Sequence, residues 1–144
     1  MAGWEKVQSP LWIGAQAGTA IRRFLLGALK KTAGPHPDVT GWYGSFLENV
    51  VLNNTVIFSF LVTYGELLIG ITLILGVFTG IAAFFGSFMN MNFLLAGSVS
   101  VNPILLFLGL LLIWAWRVAG WYGLDRYALP VFGTPWQPGT MFKI

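Results

Sequence analysis

The sequence predicts an all-α fold: a membrane-embedded helical bundle with three clear transmembrane helices and additional amphipathic helices at the membrane interface. The 144-residue chain is 56% hydrophobic and 9% charged, with a mean hydropathy of +0.74, whereas about 25% of residues are charged in an ordinary soluble domain. Between Thr55 and Ala119 only Glu66 and Arg117 carry formal charges, and this run is far longer than the roughly 20 residues that one spanning helix needs. Gly-rich interruptions divide the run, and helices satisfy their own backbone hydrogen bonds in lipid.

The composition excludes several kinds of chemistry. The chain has no cysteine, which rules out disulfides, thiolate metal sites and iron–sulfur ligation by this chain. His36 is the single histidine, so the chain alone cannot supply bis-histidine haem ligation. The net charge of +3 is ordinary for a membrane protein whose cations mark the membrane ends. We therefore expect no metal, no covalently bound cofactor and no nucleic-acid partner.

Residues 1–54 are predicted to be interfacial segments. The first stretch, MAGWEKVQSPL, resembles the interfacial end of a helix, and the stretch 11–31 is predicted to be a helix that either lies in the headgroup plane or packs, solvated, on the bundle. Two prolines and two glycines make 33–41 a loop. An interfacial helix with aromatic anchors then precedes the first span. These anchors are Trp42, Tyr43 and Phe46.

The three spans are predicted at 55–76, 78–97 and 103–119. The first two are joined by a very short link, so they must be antiparallel neighbours. Small residues recur four apart in this region, a spacing that lets helix backbones approach closely. They are Gly76, Gly80, Ala82 and Gly86. The remaining 120–144 segment is predicted to be an interfacial tail that folds back over the end of the bundle or binds a partner. Its aromatic residues are Trp121, Tyr122, Tyr127, Phe132 and Trp136.

The charge distribution gives a prediction for orientation. No Lys or Arg lies between Gly34 and Asn54, whereas Arg117 and Arg126 follow the third span. By the positive-inside rule the C-terminus is predicted to be cytoplasmic. Four more distant cations favour the opposite orientation. They are Arg22, Arg23, Lys30 and Lys31.

Glu66 is the sharpest functional signal, because a carboxylate near the middle of a span is costly unless it is paired, protonated or hydrated. Its helix face includes Ser59, Thr63, Gly70 and Leu73, a stripe that is small and polar on one side of Glu66 and should face the bundle. Two interpretations stay open. Glu66 is either a proton-handling acid or quinone-headgroup ligand, or a buried carboxyl that fixes the packing. Lys6 is its natural counter-ion if the N-terminal segment packs beside the first span.

Other polar residues are expected to have structural roles. Asn90 and Asn92 lie two apart on one helix and cannot face the same neighbour, so one should bond across helices while the other reaches the interface. Arg117 can snorkel to the membrane surface. With Asp125 and Arg126 it is predicted to form a charged cluster at one membrane face.

Three stretches together resemble the DoxX family of small membrane proteins, which is related to the DoxD subunit of thiosulfate:quinone oxidoreductase. They are WYGSFLENVVL, YGELLIGITLILGVFTGIAAFFGSFMNMNFLLAGSVSVNP and AGWYGLDR. The resemblance covers about residues 3–137 and is strongest between 42 and 126. It implies a single domain, 1–144, in a bacterial or archaeal cytoplasmic membrane. It also implies a four-helix bundle of which this chain lacks most of the first helix, because the start is misassigned, upstream residues are not included, or a partner supplies that helix.

The resemblance also implies site residues. The family's intramembrane glutamate falls on Glu66 and the lysine of its GWEK-like segment falls on Lys6. The family's NP and GLDR motifs fall on Asn102–Pro103 and Gly123–Arg126. Quinone would need an apolar slot, a proton-exchanging carboxyl and hydrogen-bond donors. The candidate donors are Lys6, Tyr64 and Trp4.

Two functions are therefore expected for the chain. The first is a membrane subunit linked to quinone-dependent electron transfer, in which electrons come from a sulfur compound. The second is a non-catalytic accessory subunit of a larger respiratory or photosynthetic membrane complex. Both imply the lipid bilayer and other membrane-protein subunits as partners, and the first adds quinone.

Overall fold

The computed structural model describes residues 2–134 and 137–139, and this part of the chain is mostly helical, as predicted. The helices are α1 (Ala2–Gln8), α2 (Thr19–Lys30), α3 (Gly41–Phe46), α4 (Thr55–Leu75), α5 (Thr79–Leu95), α6 (Asn102–Trp114), α7 (Trp116–Trp121) and α8 (Asp125–Phe132). The described strands are two-residue segments, Gly133–Thr134 and Gln137–Pro138, which pair antiparallel.

The helix that contains α4 is longer than predicted. A π-helical turn, Leu47–Val51, and a 3-10 turn, Leu52–Asn54, join α3 to α4 without a break, so one helix runs over Gly41–Leu75. The predicted boundary at residue 54 is therefore only a local irregularity. Asparagine amides lie along it, and each donates to a carbonyl one turn earlier, an interaction that bends helices. The donors are Asn49, Asn53 and Asn54, each at 2.8 Å.

By length and composition, Gly41–Leu75 is the one described helix that could cross a membrane. α5 and α6 are also apolar, but they have 17 and 13 residues. The third predicted span, 103–119, is interrupted, because α6 ends at Trp114 and α7 begins at Trp116. This break lets Trp116 pack against Gly80, where an added Cβ would lie 3.1 Å from the Trp116 Cβ.

α4, α5 and α6 form an antiparallel row. A Cβ on Gly65 would touch Met89, and a Cβ on Gly86 would touch Ile69. From the first contact to the second, the residue number rises along α4 and falls along α5, which confirms that α4 and α5 are antiparallel neighbours. On the other side of α5, the Ser87 hydroxyl lies directly against Gly109 of α6, so a side chain at position 109 would have to displace it.

The turn between α4 and α5 is made by Gly76, Val77 and Phe78. Gly76 ends α4 with φ of 62°, a left-handed conformation that suits glycine at a helix C-terminus. Phe78 also has a positive φ, 48°, which is uncommon for a bulky residue. The structure around Phe78 must therefore hold the turn in place.

The predicted helix over 11–31 is shorter in the structure, because α2 begins only at Thr19. Turns fill residues 9–18, where Gly14 and Gly18 have φ of 131° and 87°. A right-handed helix cannot pass through either conformation. The loop predicted at 33–41 is present between α2 and α3.

The buried apolar core lies at one end of the molecule, where α2, α3, the π turn and the end of α5 meet. Its members are Leu25, Ala28, Val39, Tyr43, Leu47, Val51 and Ala96. In contrast, α6 has no buried residue, although it is almost wholly apolar. Large apolar side chains of α4 and α5 are also exposed along their length.

The tail folds back over the end of the row, one of the two arrangements that the sequence left open. The rings of Phe132 in α8 and Phe78 in the α4–α5 turn lie 5.8 Å apart, centroid to centroid. Trp121, Tyr122 and Tyr127 are exposed. Trp136 and residues 140–144, which belong to the predicted tail, lie outside the described residues.

Candidate functional site: an ion pair inside the helical row

The N-terminal segment runs antiparallel along α4 and brings a cation to Glu66. A Cβ on Gly3 would lie 2.9 Å from the Leu67 amide nitrogen, so α1 touches the α4 backbone there. Further along, Ser59 Oγ donates to the Trp12 carbonyl at 2.7 Å. The small side chains at these positions permit the close approach.

Lys6 and Glu66 form a close ion pair at this contact. Lys6 Nζ lies 2.6 Å from Glu66 Oε1, and the two side chains are 18% and 19% exposed. The pairing expected from the sequence is thus present. It is also the one ion pair within residues 2–134 and 137–139. A charge-assisted bond in such a partly dry setting is stronger than a surface ion pair.

Two aromatic rings complete the surroundings of the Lys6 ammonium. Nζ lies 4.6 Å from the centroid of the Trp12 ring and 5.6 Å from that of Phe93. Phe93 comes from α5, and its ring meets Phe24 of α2 edge-on at 6.0 Å. Sequence reasoning missed Trp12 and Phe93, because both meet Lys6 only through the fold. The ring faces attract the cation and shield it from water.

Two buried polar atoms next to the pair have no hydrogen-bond partner among the described residues. They are Glu66 Oε2 and Thr63 Oγ1. Thr63 lies one turn before Glu66 on the same face of α4 and is fully buried. The carboxylate oxygen can accept one more hydrogen bond, and the hydroxyl can donate or accept one. The site therefore contains a hydrogen-bond acceptor and a hydroxyl group that no described residue satisfies.

The structure does not bring the other two candidate donors to the pair. Residues two apart on an α-helix point about 200° apart, so Tyr64 lies on the other side of α4 from Glu66. Its ring stacks on Phe60, with centroids 6.1 Å apart. The Trp4 side chain is 56% exposed. Of the four candidates, only Lys6 and Glu66 are in contact.

Of Asn90 and Asn92, only Asn92 makes the expected bond across helices within the described residues. Asn92 bonds across helices, because the Tyr43 hydroxyl donates to its side-chain oxygen at 3.0 Å and lies equally close to its carbonyl oxygen. Asn90 donates only within α5, to the Gly86 carbonyl at 3.0 Å. Asn92 thus ties α3 to the end of α5.

The three residues of the predicted charged cluster, Arg117, Asp125 and Arg126, line one groove, but Asp125 forms no ion pair with a described residue there. Asp125 is only 1% exposed, and its carboxylate oxygens accept from the backbone N–H groups of Phe78 at 2.6 Å and Thr79 at 2.9 Å. These amides are free because they begin α5, where the helix dipole also favours a negative charge. Asp125 therefore holds the α4–α5 turn and does not pair with the arginines.

The residues around Asp125 explain the rest of the GLDR sequence. The N–H of Leu124 donates to the Leu75 carbonyl at 3.1 Å, and the N–H of Asp125 donates to the Gly76 carbonyl at 2.8 Å. These bonds satisfy carbonyls that the end of α4 leaves open. A Cβ on Gly123 would lie 2.5 Å from the Gly76 Cα, so only glycine fits. One short segment thus binds the end of α4 and the start of α5.

The arginines on either side of Asp125 stack on aromatic rings instead. The Arg117 guanidinium lies 5.4 Å from the Trp116 ring centroid, and that of Arg126 lies 4.9 Å from Tyr127. In the NP motif, Asn102 donates to the Ser98 carbonyl at 2.8 Å, and Pro103 occupies the first turn of α6, where a missing N–H costs least.

The described residues contain no group of three or more His, Asp or Glu side chains placed to hold a metal ion. His36 lies exposed in the loop before α3. In comparisons with protein-family models, curated proteins and solved structures, nothing matches this chain. The assignment of a function therefore depends on the residues and their geometry.

Proposed function

We propose that the chain is an integral membrane subunit of the DoxX type, linked to quinone-dependent electron transfer, with Lys6 and Glu66 at the quinone headgroup. The observation that carries this proposal is the partly buried ion pair, whose Glu66 Oε2 has no partner among the described residues while Oε1 is held 2.6 Å from Lys6. Ionisable groups inside an apolar helical layer are functional candidates by default.

The membrane part of the proposal is supported by the exposed apolar surface. The helix Gly41–Leu75 is long enough to span, and only 11% of its most apolar window is buried inside the protein. α5, with 17 residues, reaches the lower limit of spanning length. α6 reaches it together with α7, across the break at Ala115. Lipid would cover the side chains of α6 that the protein leaves exposed.

The residues present fit a quinone headgroup. Quinone, when bound, accepts two electrons and two protons. Lys6 can donate a hydrogen bond to a carbonyl oxygen, and Glu66 Oε2 can accept one from a hydroxyl, with Thr63 one turn away. The Trp12 ring beside Lys6 offers a flat apolar surface. Both charged side chains are partly exposed, whereas the oxygen Oε2 is buried, so a headgroup that bonds to Oε2 must displace the side chains around it.

The electrons must come from another subunit, because this chain has no cysteine and one histidine, and so lacks the ligands for an iron–sulfur cluster or a bis-histidine haem. We propose a partner that oxidises a sulfur compound, as the resemblance implies. In this arrangement the chain binds and orients quinone, and Glu66 exchanges one of the two protons at a time with it.

A non-catalytic accessory role is the second candidate, and the bare surface of α6 favours it. Ile104, Phe107 and Trp114 on this helix are 62%, 61% and 87% exposed. A neighbouring membrane subunit could cover them as well as lipid could. In that case the ion pair would fix the packing of α1 on α4 and would bind no quinone.

Purification from native membranes in mild detergent separates the two candidates. Co-migrating chains are identified by mass spectrometry, and quinone is extracted and measured for the wild type and for Glu66→Gln. Quinone that accompanies the chain and is lost in Glu66→Gln supports the redox role. Co-migrating redox subunits with no quinone lost in the variant support the accessory role.

A further inference from the structure

A groove lined by Arg117 and Arg126 lies at the end of the molecule opposite the buried apolar core. Its volume is about 250 Å³, and its remaining lining residues are Trp121, Asp125, Leu129, Pro130 and Thr134. We propose that this groove binds a phosphate group, held between the guanidinium groups of Arg117 and Arg126. Neither the ion pair at Glu66 nor the quinone proposal uses these residues.

The two guanidinium groups have no carboxylate partner within residues 2–134 and 137–139, where the one ion pair is that of Lys6 and Glu66. Asp125 is the acid nearest to them in the chain, but both of its oxygens accept backbone N–H groups of the α4–α5 turn. The start of α5 offsets its negative charge. The groove therefore presents two cations against one carboxylate that is already engaged.

The side chains of both arginines are oriented by aromatic rings. Arg117 lies over Trp116 at 5.4 Å, and Arg126 lies between Trp121 at 5.8 Å and Tyr127 at 4.9 Å. A guanidinium stacked on a ring leaves the N–H groups at its edge available. Those edges match the oxygens of a phosphate, which arginine binds in bidentate fashion. Less side-chain entropy is lost on binding than for two freely moving arginines.

The surroundings suit a phosphate that carries an apolar substituent. Trp121, Leu129 and Pro130 form the apolar side of the groove, which follows directly on the apolar helix α6. Basic pockets at the ends of membrane helices bind anionic lipid headgroups. A free phosphate ester offers the same anion, so the experiment must separate the two sources. Only the lipid source depends on the proposed membrane insertion.

The test compares the purified wild type with the double variant Arg117→Gln/Arg126→Gln. Arg22→Gln/Arg23→Gln is the matched control, since these two exposed arginines lie on α2 at the other end of the molecule. Native mass spectrometry measures binding of phosphatidylglycerol and of phosphatidylcholine, and calorimetry measures binding of inorganic phosphate. Each arginine is worth about fivefold in affinity, so the double variant should lose about twenty-fivefold while the control stays unchanged.

Loss of phosphatidylglycerol binding alone identifies a lipid headgroup, and parallel loss of inorganic phosphate binding identifies a phosphate site that does not require lipid. The double variant Arg117→Lys/Arg126→Lys keeps the charge but not the bidentate geometry and should bind the anions with intermediate affinity. It replaces the glutamine variant in the comparison if that variant fails to fold. Equal losses in the control, or no binding of either anion to the wild type, would overturn the proposal. None of these outcomes depends on quinone.

Discussion

The carboxylate of Asp125 caps the helix that begins at Thr79, although 46 residues separate the two in the chain. One oxygen accepts from the Thr79 N–H at 2.9 Å and the other from the Phe78 N–H at 2.6 Å. Phe78 has a positive φ of 48°, and the second bond holds it there. The tail thus stabilises the turn that makes α4 and α5 neighbours.

Asp125→Asn should destabilise the protein by about 1.5–3 kcal/mol, because an amide keeps only one acceptor oxygen and one N–H group loses a bond to a charged acceptor. Thermal unfolding in detergent, monitored by circular dichroism, measures the change. The exposed Asp38 gives the control, and Asp38→Asn should leave the unfolding temperature unchanged. An unfolding temperature of Asp125→Asn equal to that of the control would show that the cap contributes nothing.

Gly123→Ala should disrupt the same junction through sterics. Its Cβ would lie 2.5 Å from the Gly76 Cα and 2.8 Å from the Gly76 carbonyl oxygen, and backbone atoms cannot move aside as a side chain can. We expect a loss of about 1–3 kcal/mol in stability. In contrast, a Cβ on Gly27 meets nothing within 4 Å, so Gly27→Ala in α2 should be neutral or stabilising by up to about 1 kcal/mol. A Gly123→Ala protein as stable as Gly27→Ala would contradict the close approach.

Some of these relationships could be predicted from the sequence and others could not. Glu66 is the one acid in the apolar run, and its cation could be named because few lysines were within reach. The sequence could also have shown that Tyr64 lies away from Glu66, since helical periodicity places the two on different sides of α4. The cap formed by Asp125 could not be predicted, because local patterns cannot show which distant N–H groups a carboxylate will meet. The same holds for Trp12 and Phe93 around Lys6.

Helix boundaries could likewise be predicted only where the local sequence determines them. Apolar runs correctly located α4, α5 and the start of α6, since burial or lipid exposure depends on composition. The break at Ala115, after which Trp116 packs against Gly80, is not visible in the composition. The late start of α2 follows from Gly14 and Gly18 in left-handed conformations, and this signal was present in the sequence.

Lys6 and Glu66 should be energetically coupled. A double-mutant cycle with Lys6→Met, Glu66→Gln and the double variant should give a coupling energy of about 0.5–3 kcal/mol. Each single variant should be less stable than the double one, because it leaves one charge without its partner. Unfolding measurements in detergent supply the four stabilities. Glu5→Gln, on the exposed side of α1, should change nothing, and a coupling energy of zero would mean that the pair does not form.

The membrane orientation can be tested with single cysteines, since the chain has none. Asp38 and Tyr122 are both exposed, the latter by 90%, and they lie at opposite ends of the helical row. With the C-terminus cytoplasmic, an impermeant maleimide added to intact cells should label Asp38→Cys and not Tyr122→Cys. The reverse pattern would place the four cations at positions 22, 23, 30 and 31 in the cytoplasm. Labelling of both would contradict the membrane insertion itself.

The most direct test of the quinone proposal is a titration of the purified protein with a short-chain quinol, kept reduced and followed by tryptophan fluorescence. The wild type should bind the quinol saturably, and Glu66→Gln should bind it at least about tenfold more weakly, because the quinol hydroxyl loses its hydrogen bond to a charged carboxylate. Tyr64→Phe, on the other side of α4, should bind like the wild type. Equal affinities for the wild type and Glu66→Gln would show that the ion pair is structural and would contradict the proposed quinone site.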